Sequence, residues 1–415
     1  MDKINIYFFN KTSKKSSLQN IIISTHKLSN YMLFKEISNL SKVISFYDII
    51  KKINIIFDKT MEIKVIIKIL LKVHDILYSY KINDIIKKIK LHNVPTIAKN
   101  FMKELNEYKH IVMNPNKNPD IYLNWVMKNI PSNYNKKVMK VSSKFFPLTH
   151  AVSEGSNHDS HFVHIQPKKI NKDNMNVYLI GKAVTFDSGG LNLKGGHMYD
   201  MKIDMTGSAI IMTVLKLLAK NNLDSHVNIH LLIPVVENMI SSKATKPGSV
   251  ITSMGGITVE IVNTDAEGRL CMADCIEYIC MKLLDKKKKN LILNIATLTG
   301  AAMYISDTIS SIVLSNDSGN DYKNDIIRIG EECGDYLDTI KIRKEYLDRL
   351  NSNVADIKNI DYNTKAGTVL AGQFLEYFTE PSTPWLHLDV ASTTYNNNIS
   401  VSHGVGLLYE FILSL

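Results

Sequence analysis

The sequence predicts an α/β protein with two domains of unequal size. Strand-like apolar runs alternate with helical patterns along most of the chain, the charge changes after residue 150, and 45% of the 415 residues are hydrophobic, which is enough for a sizeable core. We predict a reduced α/β N-terminal domain at residues 1–95. Residues 96–415 are predicted to form a larger domain in which a mixed β-sheet is flanked by helices on both faces.

The N-terminal elements follow from short apolar runs and from helical spacing. The runs at 3–9, 19–24 and 53–57 predict strands, whereas 60–79 and 97–112 show the spacing of amphipathic helices. Together they predict a small α/β layer.

In the larger domain, predicted strands and helices alternate, as expected for a sheet covered on both faces. The predicted strands are 177–181, 228–233, 257–262, 291–295 and 385–390. The predicted helices lie near 207–220, 267–284 and 404–414.

The two halves of the chain carry opposite charge. Residues 1–150 hold 26 lysines and 10 acidic residues, whereas the remainder has 24 basic and 30 acidic residues. A basic half is typical of nucleic-acid-binding surfaces. Its lysines, however, occupy polar positions of isoleucine-rich segments such as 81–90. We therefore interpret them as solvated faces, with nucleic-acid binding as the alternative.

The sequence also predicts a cytoplasmic protein. No apolar run approaches the roughly 18–20 residues that span a bilayer, so no membrane partner is expected. The first residues lack the basic-then-apolar plan of a secretory signal. Four cysteines without a Cys-x-x-Cys motif fit a reducing compartment.

The octapeptide 263–270, Asn-Thr-Asp-Ala-Glu-Gly-Arg-Leu, is the most informative segment. In a strand or strand-like loop, residues two apart share a face, so Asp265, Glu267 and Arg269 would converge on one point. Gly268 would allow close approach of the backbone. This pattern favours a metal site; a solvated loop with an Asp–Arg pair is the alternative.

Further motifs occur at both sides of this octapeptide. Upstream, an apolar run enters the glycine-rich stretch 181–190, which contains Lys182 and Asp187. Lys194 follows, and then Met201-Lys202-Ile203-Asp204-Met205. The other motifs are Glu237-Asn238-Met239, Pro247-Gly248-Ser249-Val250, Ala296-Thr297-Leu298-Thr299-Gly300, Ala355-Asp356-Ile357-Lys358-Asn359 and Trp385-Leu386-His387-Leu388-Asp389.

In this order and spacing, the motifs resemble those of the leucyl (cytosol) aminopeptidase family, which are dinuclear zinc exopeptidases. The resemblance runs from about Asn114 to the C-terminus and implies that residues 96–415 form a dimetal aminopeptidase catalytic domain. It implies an enzyme that releases N-terminal residues, preferably bulky and apolar, from peptides. It also implies a homo-hexamer.

The resemblance further implies the ligands of two divalent metal ions. One would be held by Asp187, Asp265 and Glu267, and the other by Lys182, Asp187, Asp204 and Glu267. Zinc is expected, with manganese, magnesium or cobalt as alternatives in one site. Two ions bridged by carboxylates can activate a water and polarise a peptide carbonyl.

The remaining roles also come from the resemblance. Lys194 would stabilise the oxyanion, and Arg269, one of only four arginines in the chain, would hold a bicarbonate ion as general base. Asp204 and the backbone near Thr297 and Leu298 would receive the substrate amine. The pocket for the first side chain would be lined by Met201, Asn263, Thr297, Leu298, Gly300 and Ala391.

Two other interpretations stay open at this stage. His158, His161 and His164 are spaced by three and could suggest a histidine metal site, but the segment reads as a loop followed by a strand, which would scatter them. Cys271 and Cys275 read as small buried helix residues. The competing class of function is a non-catalytic scaffold or nucleic-acid-binding protein that retains the fold.

The chain departs from the family pattern near Lys194. Ala183 replaces the usual glycine after the metal-binding lysine, and the stretch from Lys194 to Asp204 is one residue shorter than usual, with Gly195-Gly196-His197 in place of a proline-containing turn. These differences put the position of Lys194 in question.

Overall fold

The computed structural model describes residues 5–8, 19–24, 53–57, 62–78, 89–92, 94–361, 363, 365–396 and 399–415. The chain divides into two compact units. The first comprises residues up to His110 together with Ile399–Ser402, and the second comprises Ile111–Asn398 and His403–Leu415. The domain boundary at residue 95 stays a prediction, because compact packing does not by itself define an independently folding domain.

The first unit contains a four-stranded sheet. Its strands are β1 (Asn5–Phe8), β2 (Gln19–Ser24), β3 (Ile53–Phe57) and β4 (Ile89–His92), in the spatial order β1-β2-β3-β4. The first two strands are antiparallel, whereas β3 runs parallel to both β2 and β4. The predicted strands at 19–24 and 53–57 are confirmed. The strand predicted at 3–9 is confirmed for residues 5–8, and its remaining residues lie outside the described ones. Strand β4 was not predicted.

Helices α1 (Ile63–Leu77) and most of α2 (Thr96–Met113) belong to this unit. Ile66, Leu70 and Val73 form the buried stripe of α1, with the spacing of three to four residues that the sequence predicts. Asp75, near the end of α1, accepts contacts from Lys109 Nζ at 2.5 Å and from Ser402 N at 2.9 Å. This carboxylate therefore joins segments that are far apart in sequence.

The second unit is built on a nine-stranded mixed sheet. Its strands are β5 (Tyr134–Lys140), β6 (His161–Pro167), β7 (Asn176–Gly181), β8 (Ala183–Asp187), β9 (Asn228–Asn238), β12 (Asn290–Ala296), β13 (Ser311–Ser315), β14 (Leu337–Thr339) and β16 (Trp385–Asp389). The order is β14-β13-β16-β12-β7-β9-β6-β5, with β8 pairing to β9. Strands β16, β12, β7, β9 and β8 are mutually parallel and form the centre of the sheet.

The central strands are buried along almost their whole length. Every residue of β7 is buried, and so is every residue of β12. Continuous apolar runs are typical of parallel strands covered on both faces. The mixed sheet flanked by helices that the sequence predicts is therefore confirmed.

The helices of the second unit are α3 (Pro119–Lys128), α4 (Pro147–Ser153), α5 (Thr206–Lys220), α6 (Glu267–Tyr278), α7 (Met303–Ser306), α8 (Asn320–Cys333), α9 (Glu345–Asp348), α10 (Gly367–Tyr377) and α11 (Val405–Ser414). Helix α6 continues into a π-helical turn, Ile279–Leu283. Helices α5 and α6 cover opposite faces: Tyr178 and Ile180 share a core with α6, whereas Gly181, the next residue, lies against Ser208 of α5.

The smaller elements complete the unit. Strands β10 (Ser249–Thr252), β11 (Thr258–Ile261) and β15 (Ile357–Lys358) form a three-stranded sheet in which β11 is central. Strand β17 is Tyr395–Asn396, and β18, Ile399–Ser400, is assigned to the first unit. Among the described residues, no helix combines the length and the apolar composition needed to cross a bilayer.

Asp274 of α6 links this helix to α4. The side chain is fully buried, and its Oδ2 accepts a hydrogen bond from Thr149 N at 2.7 Å, in the first turn of α4. Burial raises the pKa of Asp274 to about 7, although the backbone and side chain of Thr149 oppose that shift. Between these two pKa values, 3.8 for the unfolded chain and about 7 for the folded protein, the Asp274 carboxyl is therefore protonated in the folded state and ionised in the unfolded state.

We predict a pH-dependent stability term from Asp274. Because its pKa is raised on folding, its contribution is fully present below about pH 4 and is lost as the pH rises through about 7. The fall is at most about 1.4 kcal/mol per pH unit. Asp274→Asn should remove this term, so that its free energy of unfolding falls less than that of the wild type between pH 5 and pH 7. Denaturant unfolding at both pH values measures this; equal slopes would contradict it.

Candidate metal centre

The parallel strands bring several polar residues to one edge of the main sheet. Strand β8 ends at Asp187, β9 at Asn238, and β16 at Asp389, while Thr297 follows the last residue of β12. In parallel strands the carboxyl ends lie on the same side, where loops can place functional groups. This edge of the sheet carries the candidate site.

Three buried carboxylates form the core of the site. Asp187, Asp204 and Glu267 are each less than 5% exposed, and one oxygen from each lies within 4.8 Å of the others. Among the residues that the structure describes, this is the one group of His, Cys, Asp or Glu side chains close enough to share a metal ion. Carboxylates buried so deeply must be paired or coordinate a metal.

Lys182 balances two of these charges. Its Nζ lies 2.8 Å from Asp204 Oδ1 and 2.7 Å from Glu267 Oε1, and it donates to Thr297 O at 3.0 Å. Burial lowers the pKa of Lys182, but the charges of Asp204, Glu267 and Asp187 outweigh burial and raise it overall. The amine is therefore an ammonium that serves as an internal counter-ion.

Lys194 balances the other side of the cluster. Its Nζ contacts Asp187 Oδ2 at 2.7 Å and also contacts Asp265 Oδ1. The loop before it turns at Gly189 and Gly190, whose positive φ angles of 88° and 62° are readily adopted only by glycine. Despite the shorter segment that follows, Lys194 lies against the carboxylates.

The pKa values of the carboxylates reflect their crowding. Burial raises the pKa of Asp204 to about 7, and the pKa of Asp187 is raised well above its usual range by burial and by the charges of Glu267 and Asp204. Burial also raises the pKa of Asp265. For Glu267, Lys182 and Lys194 outweigh burial and lower the pKa. The cluster therefore holds more negative charge than it can easily accommodate without cations.

The octapeptide is not extended, and the prediction that its alternate residues share one face is wrong. Residues 263–266 form a turn, and Glu267 is the first residue of α6. The turn forms because Asn263 Oδ1 accepts from Asp265 N at 2.7 Å, as asparagine often does in turns. Glu267 and Arg269 consequently lie on different sides of a helix.

The carboxylates converge because Lys182 crosses the first turn of α6. A Cβ atom at Gly268 would lie only 2.6–2.8 Å from the Cε, Nζ and Cδ atoms of Lys182. The close approach expected at Gly268 is therefore present, with a side chain as the partner. Any larger residue would push Lys182 away from Glu267.

Arg269 is buried within the protein, so the octapeptide is not a solvated loop. It is 4% exposed, and its Nη1 donates to Asn359 O at 2.8 Å. Burial lowers the pKa of Arg269 to about 10. This pKa is still well above neutral pH, so the guanidinium stays charged. Its Nε has no hydrogen-bond partner among the described residues. The guanidinium can therefore still bind an anion.

One predicted pocket residue, Thr297, contacts the acidic cluster directly, and a second, Met201, lies in the turn that leads into it. Thr297 Oγ1 donates to Asp204 Oδ1 at 2.8 Å, in addition to the contact of its carbonyl with Lys182. Met201 is half-buried in the 3₁₀ turn Met198–Ile203, which leads into Asp204. The structure thus brings Thr297 to the site and places Met201 three residues from a site carboxylate.

Two of the other predicted pocket residues, Leu298 and Ala391, bond to a further buried carboxylate. Asp389 Oδ1 accepts from Leu298 N at 3.1 Å and from Ala391 N at 3.2 Å. Gly300 is exposed and begins a 3₁₀ turn, and Asn263 is half-buried in the octapeptide turn. Asp389 therefore joins the loops after β12 and β16, although no role was predicted for it.

Other supporting residues were also missed by sequence reasoning. Asn238 Nδ2 donates to Asp187 Oδ1 at 2.8 Å and to Thr264 O at 3.0 Å. Asn238, Asn359 and Asp389 all lie in the motifs identified above, and their motif positions were the available signal. Their hydrogen bonds depend on tertiary contacts that spacing does not reveal.

Lys117 is a further buried residue, and no sequence motif pointed to it. Its Nζ donates to Ile111 O at 3.3 Å and Val112 O at 3.0 Å, at the end of α2, and to Lys202 O at 2.5 Å. Burial lowers the pKa of Lys117 to about 7, and repulsion by Lys202 adds to this shift. Lys117 thus ties a helix end to the turn that precedes Asp204.

The donor set fits divalent cations. The oxygens are anionic, buried and close together, and Asp204 Oδ2 has no hydrogen-bond partner among the described residues. Hard or borderline cations prefer such carboxylate oxygens. The residues Asp187, Asp204, Asp265 and Glu267 could therefore hold metal ions.

The histidine and cysteine alternatives find no support. His158 lies in a loop and contacts Asp120 at 2.9 Å, whereas His164 is in β6 and contacts His230 at 3.1 Å. The predicted scattering of the imidazoles is confirmed. Cys271 and Cys275 are free and fully buried in α6, as predicted.

Comparison with known proteins adds an independent finding. The model of the family described as "Cytosol aminopeptidase family, catalytic domain" matches residues 100–409. The chain is similar to a probable cytosol aminopeptidase of Vesicomyosocius okutanii subsp. Calyptogena okutanii, with 38% identity over 267 residues that cover 63% of this chain and 53% of that protein.

Two further relatives carry the same description. The protein from Thioalkalivibrio sulfidiphilus is 36% identical over 268 residues, which cover 64% of this chain and 52% of the relative. The protein from Rickettsia felis is 38% identical over 271 residues, which cover 63% and 52%. The chain thus spans about half the length of the curated relatives it matches.

We predict that Lys117→Met loosens the turn before Asp204. Below its pKa of about 7 the Lys117 amine is charged. Hydrogen bonds from a charged donor contribute roughly 1.5–3 kcal/mol, so amide exchange in residues 198–204, measured below that pH, should quicken by about tenfold or more. Global stability is a poorer measure, because burying the ammonium is itself costly. Lys216→Met, which removes another buried lysine that contacts Asn129, is the control. Equal exchange in both variants would contradict the assignment.

Proposed function

This chain belongs to the cytosol aminopeptidase family, and from that premise we propose that it is a metal-dependent aminopeptidase that hydrolyses N-terminal residues from peptides. The observation that carries the proposal is the buried cluster of Asp187, Asp204 and Glu267. Lys182 and Lys194 contact this cluster directly, and Arg269 lies in the helix that begins at Glu267; these observations support the proposal. A scaffold without activity would have no need to maintain so costly a group of buried charges.

Two sets of residues would hold the metal ions. Asp187, Asp265 and Glu267 would form one site, and Lys182, Asp187, Asp204 and Glu267 the other. When bound, two divalent ions supply Lewis-acid chemistry that activates a water and polarises a peptide carbonyl. Zinc is the proposed metal, with manganese, magnesium or cobalt as alternatives in one site.

Lys182 has two roles in this proposal. As an ammonium it neutralises Asp204 and Glu267, as its contacts of 2.8 and 2.7 Å support. An ammonium has no lone pair, so Lys182 can become a ligand only by releasing its proton. Metal loading should therefore release protons.

Lys194 is proposed as the catalytic residue that stabilises the oxyanion. Burial lowers the pKa of Lys194, but Asp187, Glu267 and Asp265 outweigh it and raise the pKa overall. Lys194 is thus charged at neutral pH, as an oxyanion donor must be. Its side chain is 17% exposed, compared with 3% for Lys182, which leaves it better placed to reach a substrate.

Arg269 is proposed to bind bicarbonate, the general base. Its buried Nε and its planar guanidinium suit a carboxylate-like anion. Bicarbonate binding requires space beside the Arg269 guanidinium. It does not require the Asp265–Arg269 ion pair that was the alternative interpretation of the octapeptide.

Exopeptidase specificity would arise from recognition of the free α-amine. Asp204 and the backbone near Thr297 and Leu298 are proposed to receive it. The first side chain would enter a pocket for bulky apolar groups, lined by Met201, Asn263, Thr297, Leu298, Gly300 and Ala391. We also propose a homo-hexamer, from the family resemblance, and a cytoplasmic location, which the four cysteines without a Cys-x-x-Cys motif favour.

Substitution of Lys182 and of Lys194 should have different effects on metal content and on turnover. The wild-type chain should bind two metal ions. Lys182→Ala should lower occupancy of one site, because a proposed ligand is lost. Lys194→Ala should keep both ions but lower kcat by about 10²–10³, as expected on removal of an oxyanion donor. Elemental analysis and steady-state kinetics on the same preparations measure both effects.

The two variants are each other's controls, because both remove an ammonium from the same cluster. Equal metal loss in both would show that the roles are wrongly assigned. Fully active wild-type protein with one bound ion would exclude the dinuclear centre.

The aminopeptidase proposal itself is tested by blocking the amine. N-acetylation removes the free lone pair of the α-amine and retains the scissile bond and side chain, so N-acetyl-Leu-amide should be cleaved negligibly compared with Leu-amide. Selectivity among Leu, Met and Phe should be graded, since a methylene in an apolar pocket contributes about 1–3 kcal/mol. Similar cleavage of the acetylated and free substrates would refute the aminopeptidase assignment.

A further inference from the structure

We propose that Asn359 is a positioning residue for the metal centre, in that it sets the geometry of Asp265, Glu267 and Arg269 without contacting substrate or metal itself. The inference deepens the proposed function and rests on it. It is carried by a set of hydrogen bonds from this one residue to both ends of the octapeptide turn.

The Asn359 side chain is fully buried and uses all its hydrogen-bonding groups on the turn. Its Oδ1 accepts from Val262 N at 2.9 Å and from Asn263 N at 3.3 Å. Its Nδ2 donates to Asn263 O at 2.7 Å and to Ala266 O at 3.4 Å. One amide therefore connects the start of the turn to its end.

The main chain of Asn359 extends this network in two directions. Its nitrogen donates to Glu260 O at 2.9 Å, and its carbonyl accepts from Arg269 Nη1 at 2.8 Å. Glu260 lies in β11, which pairs with β15 immediately before Asn359. The residue is thus held by a small sheet on one side and orients the guanidinium on the other.

These contacts reach three proposed site residues. Asp265 lies inside the turn that the side chain closes, and Glu267 follows Ala266 as the first residue of α6. Arg269 donates a hydrogen bond directly to the carbonyl of Asn359. Ligands need such support, because loss of an outer hydrogen bond typically costs about 10–100-fold in metal affinity or activity.

Asparagine fits this position for chemical reasons. The turn presents two N–H groups and two carbonyls to a single side chain, so the side chain must offer acceptor and donor groups together. Aspartate would offer oxygens to the two carbonyls, and alanine would offer nothing. Glutamine has the right groups one methylene further out.

Asn316 provides a matched control. It is also a buried asparagine, and its Oδ1 accepts from Gly319 N at 2.9 Å and from Trp385 N at 3.1 Å, while its Nδ2 donates to Thr383 O at 2.9 Å. It lies beside the start of β16, whereas the site lies at the other end of that strand. Its removal should cost stability alone.

The experiment compares Asn359→Ala with Asn316→Ala in the full chain. Zinc affinity is measured by competition with a chromophoric chelator, stability by thermal unfolding, and activity by kcat and KM on Leu-amide. We expect Asn359→Ala to lose about 10–100-fold in zinc affinity and in kcat, with a smaller change in KM. Asn316→Ala should lower Tm by as much as Asn359→Ala does, but it should keep wild-type zinc affinity.

The proposal is overturned if the two variants have zinc affinities and kcat values within twofold of each other. If Asn359→Ala does not fold, Asn359→Ser and Asn316→Ser are compared by the same criteria. Failure of both Asn359 variants to fold, with both Asn316 variants folded, would also overturn it, since Asn359 would then determine the fold.

The zinc measurement separates this inference from the proposed function. A wild-type chain that binds zinc but does not cleave Leu-amide would refute the aminopeptidase proposal. The zinc affinities of the two variants would still decide whether Asn359 positions the ligands.

Discussion

Mutual repulsion among buried carboxylates is the constraint on which the rest of this structure depends. Asp187, Asp204 and Glu267 place oxygens within 4.8 Å of one another in the protein interior. Uncompensated charges of this kind are very costly to bury. Lys182 and Lys194 offset the cost by direct contact with the cluster, so the two lysines are as necessary to the arrangement as the carboxylates.

The fold provides rigid supports for this group. The parallel strands bring Asp187, Asn238 and Asp389 to one edge of the sheet. Around them, amide and carboxylate side chains bond to the backbone of neighbouring loops, as Asn238, Asn359 and Asp389 do. Loops that carry ligands are mobile unless they are held in this way.

The sequence predicted the composition of the site better than its local conformation. The strands at 177–181 and 291–295 and the helix near 207–220 are present, because long apolar runs and periodic patterns report burial directly. The octapeptide was wrongly predicted to be extended, since alternation of charged residues fits a strand and equally fits a turn followed by a helix start. Lys117 left no signal, because its partners are backbone carbonyls.

From the sequence by itself, the α/β class, the candidate ligands and the resemblance to a dimetal peptidase family could be established, because these depend on residue types in order along the chain. Only the tertiary structure decided how the groups meet. Lys182 reaches Glu267 because a glycine at position 268 lets it pass, and Asn359 lies nearly a hundred residues from the turn it closes. Such contacts depend on the packing of distant segments, and periodicity and spacing report only local geometry.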